Sequence, residues 1–159
     1  MTLTNSLQSR LEHQHETVQE LIQGLTLFQL QQRVYPEKWS VFENIVHLAA
    51  YQPTFIERLD KILEGNKPSF NRYVAEQDPR FHEYMMKSLE ELLKDLNFQR
   101  QRIVERLSRL DARSLSLVAH HGKFGWMPIT GWTEFFLLHE SHHLYTIFQL
   151  VGTFRLAQQ

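Results

Sequence analysis

The chain has no cysteine. That excludes a disulfide, a thiolate metal ligand and a cysteine nucleophile within it, and leaves histidine to carry any soft-metal chemistry. An excess of one charge is missing too. Lys and Arg number 17 against 18 Asp and Glu, for a formal net charge of -1, so there is no broad electrostatic footprint for nucleic acid or an anionic membrane. With 42% hydrophobic and 22% charged residues, the composition calls for neither disorder nor a membrane span. Met1 to Arg10 lacks both the basic start and the apolar core of a signal peptide, so the expected location is cytoplasmic. At 159 residues the expectation is one domain spanning 1–159 that buries its core without crosslinks.

What the sequence has is helical periodicity. Leu7, Leu11, Val18, Leu21, Ile22 and Leu25 recur at the interval of one helix face, which predicts helix one, ending near Gly24. Thr26 to Trp39, with Pro36 inside, reads as a connector. Ser40 followed by Glu43 forms a capping box that opens helix two, expected to run to about Glu64 and to bend at Pro53. After a loop from Gly65 to Pro79, a stripe from Phe81 to Leu107 predicts helix three. Ser114 to Ile129 reads as a loop or small hairpin. Helix four is expected from an N-cap at Thr130 to a stop at Gly152. Four amphipathic helices predict an all-α four-helix bundle.

Nine histidines are present, and five fall between His120 and His143. His139 and His143, at i and i+4 on helix four, point to the same side as Trp132, Phe136 and Leu150. Their β-carbons therefore sit roughly 5–6 Å apart, close enough for two ring nitrogens to meet one ion. Spacing leaves two readings open, a metal pair or two packed core histidines with donors and acceptors to satisfy. A third ligand would come from another helix. His47, in phase with Glu43, Tyr51 and Thr54 on the polar face of helix two, is the candidate, and an exposed histidine is the alternative. His142 is turned away from the pair by helical phase and is assigned a flanking place.

Lys38-Trp39-Ser40-Val41-Phe42-Glu43-Asn44-Ile45-Val46-His47-Leu48 resembles the Trp-Ser-x-x-Glu-x-x-x-His-Leu signature of the DinB-like superfamily, and Leu138-His139-Glu140-Ser141-His142-His143 resembles its His-x-x-His-His signature. The order, separation and overall length agree across essentially the whole chain. The resemblance implies a four-helix bundle with an unusual helix order, and a divalent metal held in a cleft by His47, His139 and His143. It also implies positions left to water or substrate. Characterised relatives include thiol-dependent transferases and an isomerase. One departure is that Thr146 stands where members commonly carry glutamine, with Gln149 further on.

Three imidazoles with open positions suit zinc, nickel or ferrous iron, with zinc or nickel favoured. Glu43 could act as a general base or orient His47, but its use as a cap competes with that role. The segment His120 to Trp126 could overhang the cleft as an aromatic lid, against an ordinary turn with solvated histidines. Arg100, Arg102, Arg106 and Arg109 could hold an anionic cosubstrate, though matching of the helix dipole also explains them. The function expected is that of a metal-dependent thiol S-transferase or hydrolase acting on a small molecule, with a low-molecular-weight thiol as one candidate. The alternative is a metal-binding stress or interaction protein without turnover. Neither nucleic acid nor membrane is expected as a partner, and a homodimer is left open.

Overall fold

Four long helical stretches and a three-stranded sheet make up the architecture, seen in a computed structural model that describes residues 3–156. The first two and last three residues of the expected 1–159 domain lie outside the described residues. Helix one is divided. α1 (Asn5–His13), capped by Thr4, passes through a 3-10 turn (Gln14–Glu16) into α2 (Thr17–Ile22). The face position between Leu11 and Val18 is held by the polar Gln14 and His15, and both turn inward. Gln14 Nε2 donates to the Leu137 carbonyl (2.9 Å), and His15 is buried. Gly24, at φ +84, reverses the chain after α2, as the sequence predicts. The expected connector then contains a short helix, α3 (Leu27–Gln31), set by a capping box between Thr26 and Gln29.

α4 (Val41–Leu63) starts at the Ser40–Glu43 capping box and continues through Pro53. The expected helix three is two helices: α5 (Pro79–Met85), capped by Asp78, and α6 (Leu89–Ser108), opened by a second capping box at Ser88 and Glu91. The apolar stripe crosses the break because both helices pack on α4. A short turn, α7 (Ala112–Leu115), leads to a hairpin of β2 (Val118–His121) and β3 (Gly125–Pro128), with β1 (Ser69–Phe70) parallel to β2 on its other edge. α8 (Ile129–Leu156) follows β3 directly, so Thr130 lies inside the helix and is not its cap. The helix also passes through Gly152 without stopping there, because Gly152 is not among the positive-φ glycines.

α4 is the central element. Its first half supplies Val41, Phe42, Ile45, Val46 and Leu48 to one apolar cluster with Leu144, Ile147 and Val151 of α8. Its second half gives Phe55, Ile56, Leu59 and Ile62 to another with Trp132, Phe136 and Leu137. Each such side chain contributes about 1.5–3 kcal/mol on burial. Leu138, Tyr145 and Phe148 are exposed on α8. Among the described residues, no helix is long and apolar enough to cross a membrane.

Candidate metal centre

α4 and α8 cross so that the side of α4 carrying His47 meets the side of α8 carrying His139 and His143. The polar phase of α4 does not face water. His47 is only 3% exposed, which removes the reading of an exposed histidine. Ring centroids lie 4.9 Å apart for His47 and His139, 4.4 Å for His47 and His143, and 4.8 Å for His139 and His143. One ring nitrogen from each falls within 4.8 Å of the other two, and no further His, Asp or Glu joins the group among the described residues. His47 Nε2 and His139 Nε2 are 3.1 Å apart. Two nitrogens sharing a tetrahedral zinc at ~2.0–2.1 Å would be separated by about 3.3 Å, so the His47–His139 pair is already near the spacing of two ligands, and His143 lies close enough to complete the set by closing in.

The donor set fits as well. Burial, followed by the neighbouring imidazoles, holds His47 down at about 2 and His143 at about 3. Burial, then His142 and Arg58, brings His139 to about 4. All three are therefore neutral near pH 7 and keep a lone pair for a cation. Asn44 fixes the tautomer of His143. Its amide nitrogen donates to the Ser40 carbonyl (2.8 Å), which turns Oδ1 toward His143 Nδ1 (2.8 Å). Nδ1 then carries the hydrogen and Nε2 is left as acceptor. His47 Nδ1, by contrast, is buried without a partner among the described residues, a cost of about 1–3 kcal/mol.

Aromatic rings wall the cluster. Trp39 lies 5.2 Å from His47 and 6.0 Å from His143, Tyr73 lies 5.7 Å from His47, and Tyr51 lies 4.9 Å from His139. Behind Tyr51, the buried Arg58 donates to the Tyr51 hydroxyl (3.0 Å) and to the Asn71 carbonyl (3.2 Å). Neither Asn44, Arg58 nor Tyr73 stands out in the sequence. The Asn44 signal was available, because it lies three residues before His47 and inside the first motif.

The remaining candidates separate cleanly. Glu43 Oε2 accepts from the Ser40 N–H (2.7 Å) and from Arg33 Nε (2.9 Å), while Oε1 pairs with the other end of the Arg33 guanidinium. Those bonds outweigh partial burial and hold its carboxyl below the usual range, so the structure supports the cap. His142 is exposed beside His143 and outside the group of three. The Thr146 hydroxyl donates back to the His142 carbonyl (3.0 Å). His120 and His121 sit in the β2–β3 hairpin. His121 is buried, and its Nδ1 accepts from the Lys123 and Phe124 N–H groups, so the solvated-turn reading fails for it. Arg100 is neither a cosubstrate site nor a dipole match. It is 1% exposed and paired with Glu140 on α8, while Arg106 pairs with Asp60 (2.8 Å).

A helical bundle with three neutral histidines gathered between two helices defines a class, the four-helix proteins with a cluster that could hold a metal ion. The chain belongs to the DinB superfamily, whose family model matches residues 10–147. Among solved structures it is similar to YfiT from Bacillus subtilis, described as a probable metal-dependent hydrolase with an unusual four-helix bundle topology. The TM-score is 0.79 at 17% identity, covering 94% of this chain and 86% of that one. It is also similar to TT2238, a four-helix bundle protein, with a TM-score of 0.66 at 20% identity, covering 90% of this chain and 96% of that one. No curated protein matches the sequence.

Proposed function

We propose that His47, His139 and His143 bind one divalent transition metal, zinc or nickel, and that the protein is a cytoplasmic metal-dependent enzyme of the hydrolase or thiol-transferase type acting on a small molecule. The observation that carries this reading is the convergence of three neutral imidazoles, His47 buried and His139 and His143 half-buried, with no carboxylate completing the set among the described residues. Three protein ligands leave a position for water or substrate, the arrangement found at catalytic rather than structural zinc. When bound, such an ion lowers the pKa of a water or thiol that it takes up and so supplies a nucleophile near neutral pH.

The chain's own residues do the rest. Asn44 holds His143 in the tautomer that presents Nε2. Trp39, Tyr51 and Tyr73 enclose the imidazoles and limit water around them. Glu43 contributes by fixing the start of α4, and with it the position of Asn44 and His47, while its carboxylate stays bound to Arg33 and Ser40. The family and the description of YfiT support the metal and the hydrolytic option.

The test is to load the purified protein with one equivalent of zinc or nickel, measure the retained metal, and assay it against ester and amide panels and against electrophiles with several low-molecular-weight thiols. Stoichiometric metal with metal-dependent turnover in one panel is expected. Failure to retain metal would overturn the reading, and retention without turnover in either panel would return the protein to the non-catalytic class.

A further inference from the structure

A buried charge without a carboxylate against it among the described residues lies close to the centre. Arg58 is only 8% exposed, yet no carboxylate lies within ion-pair distance of it among the described residues. Its two hydrogen bonds go to neutral oxygens, the Tyr51 hydroxyl and the Asn71 carbonyl. Three aromatic rings also stand around it, with Tyr51, Phe70 and Trp132 at 5.8, 5.3 and 5.7 Å from the guanidinium carbon. The other buried arginine, Arg100, has Glu140 against it. Burying a guanidinium without a counter-ion is costly, and its retention calls for a reason.

Position supplies one. Arg58 lies two turns after Tyr51 on α4, and the Tyr51 ring packs on both His139 (4.9 Å) and His47 (6.0 Å). With a divalent cation held by three neutral imidazoles, the region would carry two further positive charges; no described carboxylate joins the three histidines, and Asp78, which accepts from the hydroxyl of Tyr73 (2.9 Å), stands one ring behind His47.

We propose that Arg58 is a specificity-determining residue whose fixed charge makes the histidine centre select a ligand that arrives as a small anion, such as a thiolate or carboxylate, over a neutral one. This rests on the metal reading above. Arg58 does not contact the ligand; it acts through its field across Tyr51, in an interior where a unit charge is screened far less than in water. A purely structural role, tying α4 to the segment after β1 through Asn71, would leave ligand charge irrelevant.

The experiment uses the full chain loaded with cobalt(II), with wild type compared to Arg58→Met, Arg58→Gln and Arg58→Lys. Metal content and thermal unfolding are measured first. Visible absorption then follows titration with azide or thiocyanate, and separately with neutral imidazole. In the two neutral variants, azide and thiocyanate binding should weaken by about tenfold or more, imidazole binding should stay within about twofold, and Arg58→Lys, which keeps a cation without the planar fork, should retain anion binding better than either neutral variant. Equal loss of anion and imidazole binding, no loss of either, or a lysine variant that behaves like the neutral ones would overturn the proposal while leaving the metal reading intact. A wild type that takes up no cobalt overturns the metal reading itself. If Arg58→Met does not fold, Arg58→Gln and Arg58→Lys still decide between charge and packing.

Discussion

His139 and Glu140 are neighbours in sequence on α8, and they lead into two different polar regions of the interior. Glu140 enters a closed knot. Its carboxylate pairs with Arg100 and accepts from Gln14 (3.0 Å) and Gln52, while Arg100 also donates to the Gln52 side chain (3.2 Å) and the Leu11 carbonyl (3.1 Å). Opposite charges meet, and the donors find acceptors. His139 enters a region that does not close: three imidazoles face one another, His47 Nδ1 has no partner, and Arg58 stands close by without a counter-ion. A satisfied network specifies the packing of α1, α4, α6 and α8, whereas the unsatisfied one is where the proposed metal would be held.

The sharpest way to break that contrast is Glu140→Ala, which strands Arg100 in the core. It should cost about 3–5 kcal/mol of unfolding free energy, read by chemical denaturation. A loss under ~1 kcal/mol would mean that the knot is not structural. Next comes Asn44→Ala, which frees His143 to change tautomer and should weaken metal binding by about 10–100-fold with little effect on folding. Unchanged affinity would show that the Asn44 contact does not orient the ligand.

Acid separates the regions in another way. In the metal-free protein, burial puts His47, His139 and His143 far below their ordinary value of 6.5, so the unfolded chain binds more protons than the folded one below that value. Their contribution is fully present above 6.5 and is lost as pH falls through the window down toward the folded values of about 2 to 4. Urea unfolding at about pH 7.5 and about pH 5 should therefore show a drop that shrinks when all three histidines are replaced by leucine. An equal drop in both proteins would count against the depressed values. The smallest effect is expected far from either region. Ser88→Ala removes the cap of α6 and should cost about 1 kcal/mol while leaving metal binding alone.

Much of this was legible in the sequence where a local rule had no competitor. The Ser40–Glu43 box set the start of α4, and the i, i+4 spacing placed His139 and His143 together while turning His142 aside. Ser88 and Glu91 carry the same box, but an unbroken apolar stripe from Phe81 to Leu107 hides it, because α5 and α6 bury their faces against one helix. His47 lies on a face whose polar phase predicts water, and in the fold that face is buried against the α8 histidines. The Arg100 knot and the isolation of Arg58 depend on what faces them from other elements. A single arginine in a helix carries no pattern that could announce either one.

The most direct measurement is a metal titration of His47→Ala, His139→Ala, His143→Ala and His142→Ala beside the wild type, with elemental analysis of each. If the three converging imidazoles are the ligands, the first three variants should each lose tight stoichiometric binding, by a factor of about 100 or more, while His142→Ala binds nearly as the parent does. Loss of binding in His142→Ala with retention in His47→Ala or His139→Ala would contradict the assignment.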